Sequence, residues 1–190
     1  MNPYRRRVWS MFQPLLDRIG QVDRTLDYGS GDGWFAHQVQ SSGRVKELVP
    51  VEVLKRDQVL VEPVLFDGVR LPFPDRAFDL AYAVDVIHHC PDPTASLRDL
   101  LRVTGTYFLL KDHTWNTTAG KCLLAVLDEL GNRRFGVPCA YKHQRGWEWD
   151  ATFKAEGFER VELIHPARCH VGGMWWVNRF EFIALWRRAG

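Results

Sequence analysis

Residues 25–35 read Thr-Leu-Asp-Tyr-Gly-Ser-Gly-Asp-Gly-Trp-Phe, and this stretch constrains the fold more than any other. A short apolar run ends in Asp27, glycines follow at every second position (Gly29, Gly31, Gly33), and an amphipathic stretch begins at Trp34. That order predicts a strand, a tight loop and a helix. Glycine permits φ > 0 and lets a ligand approach the main chain closely. The N–H groups of the helix's first turn are left to face that ligand. A dinucleotide loop needs a small residue for helix–strand packing at the place held by Trp34. Asp27 and Asp32 would also repel a diphosphate. The loop therefore favours a cationic ligand without phosphate; the alternative is a glycine-rich turn that binds nothing.

The length of 190 residues predicts one domain (1–190), with an N-terminal helical segment (1–22) and a substrate-side insert (113–150). A net charge of +2 and scattered basic residues give no reason to expect nucleic acid or an anionic membrane as partner. The start, Met-Asn-Pro-Tyr-Arg-Arg-Arg, has no apolar h-region after its charges. No apolar run is long enough to predict a transmembrane helix. Cys90, Cys122, Cys139 and Cys169 are widely spaced and read as reduced, mostly packed thiols of a cytoplasmic protein.

Apolar positions Val8, Trp9, Phe12, Leu15, Leu16 and Ile19 predict a helix over 3–19, with Pro14 a point where it could split. Arg5, Arg6 and Arg7 read as a solvated face, a grip on an anionic substrate being the alternative. Strands are expected at 25–27, 47–53, 61–66, 78–84 and 106–110, and at the end of the chain at 158–164 and 179–186. Helices are expected at 34–40, 93–103 (capped by Asp92 or Thr94), 119–130 (stopped by Gly131-Asn132) and 147–155. Strands alternating with helices argue for a doubly wound α/β, Rossmann-like sheet.

The motif Asp27-x-Gly29-x-Gly31-x-Gly33 resembles motif I of the class I S-adenosylmethionine-dependent methyltransferases. Leu71-Pro72-Phe73-Pro74-Asp75-Arg76-Ala77-Phe78-Asp79 resembles the Leu-Pro-Phe-x-Asp-x-x-Phe-Asp block of their small-molecule, ubiquinone/menaquinone-type branch. The run Asp85-Val86-Ile87-His88-His89-Cys90-Pro91-Asp92-Pro93 is similar to that branch's segment after the fourth strand. The resemblance covers about Leu26 to Leu110 and fades beyond His113; Thr104-Gly105 replaces the usual Lys-Pro-Gly-Gly turn. It implies a seven-stranded sheet of order 3-2-1-4-5-7-6, with the last strand antiparallel. It also implies S-adenosylmethionine as cofactor, S-adenosylhomocysteine as product, and cofactor contacts from Asp27, Gly29, Ser30, Gly31, Gly33, Glu52, Asp67, Gly68 and Asp85. Glu52, near the end of the second strand, can accept both ribose hydroxyls of an adenosine, and Asp67 can accept from the adenine amine. For Glu52 the bland alternative is an exposed strand-end charge.

The sulfonium already activates the methyl group, so a base is needed only if the acceptor must lose a proton. His88, His89 and His113 are candidates. His113 is preferred, with Lys111 and Asp112 as neighbours on a strand whose successive side chains point oppositely. For any one of these histidines a structural role is the bland alternative. Trp115, Phe135, Tyr141, Trp147, Trp149, Trp175 and Trp176 could line an acceptor pocket or simply pack; Tyr141 and Trp115 are the acceptor contacts chosen. Lys142, His143 and Arg145 would suit an anionic group on the acceptor. No Asp/Asn-Pro-Pro-Tyr/Phe follows strand four, which argues against adenine or glutamine amides as substrate. No metal is expected: His88, His89 and Cys90 are consecutive, and Cys139-x-x-x-His143 and Cys169-His170 lack partners at finger-like spacing. The expected function is methyl transfer to a small organic acceptor by a monomer or homodimer. The alternatives are a non-catalytic cofactor-binding or partner-regulating protein that kept the fold, and a nicotinamide oxidoreductase, which Trp34 and the acidic loop disfavour.

Overall fold

The computed structural model describes residues 2–132 and 140–190, so the expectations resting on Phe135, Pro138 and Cys139 lie outside the described residues. One sheet runs in the order β3-β2-β1-β4-β5-β8-β7. Strands β1 (Val22–Tyr28), β2 (Val45–Glu52), β3 (Val64–Leu65), β4 (Phe78–Val84) and β5 (Thr104–Trp115) are parallel. β8 (Glu181–Arg188) lies antiparallel between β5 and β7 (Phe158–Ile164). A two-residue β6 (Gln144–Arg145) pairs with the end of β5 off this path. With β6 set aside, the order is the expected 3-2-1-4-5-7-6. The order reverses between β1 and β4, which opens a crevice at their C-terminal ends.

Successive residues of a strand face opposite sides, and two core layers follow. On one side α1 (Pro3–Ile19) and α2 (Trp34–Ser41) pack Val8, Phe12, Leu16 and Val39 against Leu80, Tyr82, Leu109 and Leu185. On the other, α3 (Pro93–Val103) and α5 (Asp150–Ala155) pack Leu97, Leu101 and Phe153 against Ala81, Phe108 and Trp186. Asn2 caps α1 by accepting from the Tyr4 N–H at 3.0 Å, and Asp92 caps α3 by accepting from the Ala95 N–H at 3.0 Å. Each cap is followed by proline at the first helical position, where the missing N–H removes no helical bond. Pro14 does not split α1: it sits on the exposed side, while buried Val8, Phe12, Leu15 and Leu16 hold the helix to the sheet. Cys90 and Cys169 are buried free thiols and Cys122 is an exposed one.

Several elements depart from their expected bounds: β1 starts earlier, at Val22, and β2 and β8 are offset by one or two residues at their ends. β3 is only Val64–Leu65, because the chain before it folds back over the glycine loop, where the Leu60 N–H donates to the Asp32 carbonyl at 2.8 Å. β5 runs on to Trp115, so Lys111, Asp112 and His113 lie within a strand and not after one. α4 (Thr118–Asn132) passes through Gly131 without stopping there. The Trp147–Trp149 stretch is a turn, and α5 starts only at Asp150. A 3-10 segment over Gly172–Phe180 precedes β8 and had no counterpart in the sequence pattern. Among the described residues no helix is long and apolar enough to cross a membrane.

Phe12 is fully buried and meets Tyr82 of β4 edge-on, with ring centroids 6.4 Å apart. This contact anchors α1, which reaches the functional edge through Tyr4. Phe12→Ala should destabilise the protein by about 3–5 kcal/mol, read as a lowered urea midpoint with an unchanged slope.

Candidate active site

The glycine loop leaves β1 at the crevice and turns into α2. Gly29, Gly31 and Gly33 all have positive φ (71°, 60° and 74°). A side chain at Gly29 would run into Val86, and one at Gly33 into the Val61 backbone. The loop is pinned by the Gly29 and Ser30 N–H groups, which donate to the Val51 carbonyl at 3.0 and 3.1 Å. Glu52, at the end of β2, meets the loop directly. Its Oε2 accepts from the Gly31 N–H at 3.0 Å and its Oε1 from the Val53 N–H at 2.8 Å. The structure thus brings together the loop and the carboxylate that the sequence separates. Asp67 and Gly68 form an exposed turn just beyond β3. There Asp67 accepts from the Val69 and Arg70 N–H groups at 2.8 and 3.1 Å, and Gly68 takes φ of 77°. The Ser30 hydroxyl is buried in the loop without a protein partner among the described residues.

Asp85 directly follows β4 with a positive φ of 55°, a conformation uncommon for a non-glycine residue. Its carboxylate binds the Lys111 ammonium and accepts from the Tyr4 hydroxyl at 2.7 Å. Lys111 is fully buried and also pairs with Glu181, the first residue of β8. Burial disfavours the charge on Lys111, but Asp85 and Glu181 outweigh it and raise the pKa. His113 follows two residues on, with its Nε2 3.2 Å from Glu181. Burial opposes its protonation, but attraction to Glu181 outweighs that and lifts its pKa to about 9. His88 stands on the 3-10 turn Ile87–His89, its Nδ1 2.6 Å from Asp112. There too burial is outweighed, by Asp112 and Asp128, and the pKa rises to about 10. Both histidines therefore hold their protons at neutral pH and are donors before they can be bases. His143 is the opposite case: burial and the neighbouring His88 and His113 push it down to about 3.

The two acceptor contacts chosen from sequence have structural partners. The Trp115 indole donates to the His143 carbonyl at 2.8 Å, and the Tyr141 hydroxyl to Glu129 at 2.6 Å. Trp149 is core, and Trp147 packs edge-on against Phe182. Lys142 and Arg145 are exposed, and Lys142 donates to the Pro91 carbonyl. A cavity of about 830 Å³ lies elsewhere on this edge, lined by Arg7, Arg168, Arg179, His170, Trp175 and Trp176. His170 joins it to the charged cluster: its Nε2 is 2.9 Å from Glu181 and its ring 5.0 Å from that of Tyr4. Of the amino-terminal arginines, Arg5 pairs with Asp32 of the glycine loop at 2.6 Å and Arg7 faces this cavity. Tyr4 and Glu181 escaped the sequence reading, and His170 entered it only as half of a Cys169-His170 pair without metal-ligand spacing. Glu181 carried a signal, a lone carboxylate opening the apolar run 182–186.

Asp27 is buried at the base of the loop. Burial raises its pKa to about 7, against the Tyr82 hydroxyl beside it and with help from the charge of Glu52. The folded state therefore holds this proton more tightly than the unfolded chain. The resulting stability is complete below the unfolded carboxyl pKa and is lost as pH rises through about 7. Relative to wild type, Asp27→Asn should gain about 2 kcal/mol of stability between pH 5 and pH 7, measured by urea unfolding of both proteins at each pH.

Comparison with known proteins agrees with this geometry. A methyltransferase-domain family matches residues 3–190. An uncharacterized methyltransferase of Mycobacterium leprae is 30% identical over 136 residues, covering 66% of this chain and 49% of that protein. The chain thus spans about half the length of this relative. The malonyl-[acyl-carrier protein] O-methyltransferase of Serratia marcescens is 31% identical over 87 residues, 43% of this chain and 34% of that one. The fold matches an S-adenosylmethionine-dependent methyltransferase from Mesorhizobium loti with a TM-score of 0.66 at 15% identity, covering 92% of this chain and 96% of that chain. With a family match over almost its whole length and the expected strand order around the glycine loop, the chain belongs to the methyltransferase-domain family.

Proposed function

We propose that this chain transfers a methyl group from S-adenosylmethionine to a small organic acceptor carrying an acidic group. One observation carries the cofactor assignment: the Glu52 carboxylate lies 3.0 Å from the Gly31 amide, at the mouth of a loop whose glycines leave the backbone bare. The residues fit the group. Glu52 would take the ribose hydroxyls, Asp67 the adenine amine, and the loop amides with the buried Ser30 hydroxyl the amino-acid end. Asp85, fixed by Lys111 and Tyr4, offers a carboxylate to the ammonium. When bound, the cofactor supplies a methyl group already activated by its sulfonium.

The chain's own contribution is then orientation. Holding two reacting groups at attack distance is worth about 7–11 kcal/mol. The acidic acceptor is read from the cavity of Arg7, Arg168 and Arg179, whose indoles Trp175 and Trp176 suit an apolar body. The name of the Serratia relative, which places its methyl group on a malonyl substrate, agrees with an acidic acceptor. His88 and His113, as proton holders, act as hydrogen-bond donors toward the cluster's carboxylates.

Two measurements test this. Calorimetry should give S-adenosylmethionine binding that weakens about 10–100-fold in Glu52→Ala, the effect of losing hydrogen bonds to a charged group. Release of S-adenosylhomocysteine, assayed over paired carboxylic acids and their uncharged amides, should favour the acids. Arg168→Ala should raise KM for the acid without changing cofactor affinity. Equal turnover of acids and amides would refute the acidic acceptor, and no binding at millimolar cofactor would refute the methyl-transfer reading itself.

A further inference from the structure

Three histidines from three separate elements converge beside the charged cluster. His88 comes from the turn after β4, His113 from β5, and His143 from the chain entering β6. One nitrogen of each lies within 4.8 Å of those of the other two. Their rings are in contact: centroids are 4.4 Å apart for His88 and His143, 5.2 Å for His88 and His113, and 5.5 Å for His113 and His143. We propose that His88, His113 and His143 form the binding site of a single divalent transition-metal ion of the zinc or iron(II) type.

The hydrogen bonds of the three rings support this. His88 has Nδ1 on Asp112 at 2.6 Å, and its Nε2 stands 3.7 Å from Asp128, outside hydrogen-bond distance. His113 has Nε2 3.2 Å from Glu181, while its Nδ1 stands 3.6 Å from Asp112 and 3.7 Å from Asp85, outside hydrogen-bond distance. His143 is only 5% exposed, and its Nδ1 has no hydrogen-bond partner among the described residues. A buried nitrogen left in this way costs about 1–3 kcal/mol unless something occupies its lone pair. A carboxylate on the far nitrogen of a metal-binding histidine fixes the ring and raises its basicity; Asp112 and Glu181 are placed to do so for His88 and His113.

Charge argues the same way. Asp85, Asp112, Asp128 and Glu181 bring four carboxylates to this region, so it favours positive charge beyond the single ammonium of Lys111, which the ring protons of His88 and His113 provide in the free protein. A dication held by neutral imidazoles takes the place of the two positive charges that the ring protons of His88 and His113 supply when the site is free. Imidazole nitrogens favour zinc, iron and their neighbours, whereas magnesium and calcium prefer oxygen. Three protein nitrogens also match the ligand count of a catalytic zinc site, whose fourth position takes water or substrate. Tetrahedral zinc sets its nitrogens about 3.4 Å apart, so binding draws the rings inward and turns His143 out of its stack on His88. Two other trios occur among the described residues: His88, His89 and Asp128 shares His88 with this site and offers only two imidazoles, and Asp85, His113 and Glu181 is excluded because the Lys111 ammonium already bridges both carboxylates.

The test uses the full chain after chelator treatment, titrated separately with cobalt(II) and zinc(II), without cofactor or acceptor, so it is read independently of methyl transfer. Expected are one ion per chain, visible cobalt bands of a nitrogen-rich site, and a raised melting temperature. His143→Ala, folded by circular dichroism, should bind more than about 100-fold more weakly, and Asp112→Asn about 10–100-fold more weakly. His37→Ala, on the exposed face of α2, should bind like wild type. If His143→Ala fails to fold, His113→Gln and X-ray absorption of the wild-type zinc complex decide the matter by counting imidazole ligands. Binding below one ion per chain, affinity unchanged in the histidine variants, or absorption spectra without imidazole ligands would overturn the site.

Discussion

Lys111 has no solvent exposure, yet it sits where four parts of the fold meet. Its ammonium binds Asp85 at the end of β4 and Glu181 at the start of β8, and lies 5.0 Å from the centre of the Tyr4 ring of α1. A buried ammonium is tolerable only with its partners in place, and removing one member of such a group costs about 3–5 kcal/mol. The antiparallel insertion of β8 makes this possible. Its register sets Glu181 opposite His113, so the carboxylate arrives beside the lysine as the sheet closes. Sheet topology and site electrostatics are thus one constraint: a β8 displaced by two residues would keep its apolar face and leave Lys111 short of a counter-charge.

The same arrangement sorts the titrating groups. Burial raises carboxyl pKa values and lowers imidazole ones, yet Asp112 is held well below its ordinary range, chiefly because His88 outweighs burial. Glu181 is likewise held low by His113 and Lys111 against burial. Among the described residues no cation offsets burial at Asp27, and burial prevails there. One edge of the sheet therefore presents fixed anions near β5 and a carboxyl that titrates near neutrality beneath the glycine loop. Such fixed charges in a low-dielectric setting need no rearrangement when a charged ligand arrives.

What could be read from the sequence was local. The glycine spacing, the Asp92–Pro93 helix start and the continuous apolar run of β4 each act over a few residues, and each stands where expected. Glu52 was legible because a strand-end carboxylate after a glycine loop has few other uses. The proposed histidine trio was not: spacing along the chain relates neighbours such as His88 and His89, whereas the fold joins the turn after β4, the strand β5 and the chain entering β6. The roles of Tyr4 and His170 were not legible, since they come from α1 and from the chain leading into the 3-10 segment folding over the same edge. β3 shrank because residues 53–62 found partners on the loop, a tertiary contact that strand periodicity cannot see.

The floor and the cover of the crevice are built differently, and this bears on how a ligand reaches it. The floor is a set of parallel strands with buried ladders, whose opening requires unfolding. The cover is the Arg5–Asp32 pair, about a third exposed on each side, the Leu60 bond to the Asp32 carbonyl, and the Arg56 guanidinium over Gly31. A half-exposed ion pair is worth about 0–1 kcal/mol, and one backbone bond about 1 kcal/mol. Those contacts can yield to an incoming ligand. The Tyr4–Asp85 hydrogen bond, to a charged group, is worth about 1.5–3 kcal/mol and is backed by the Phe12 packing of α1. The contacts that hold segment 53–62 on the glycine loop are therefore weaker than the one by which Tyr4 of α1 closes on Asp85.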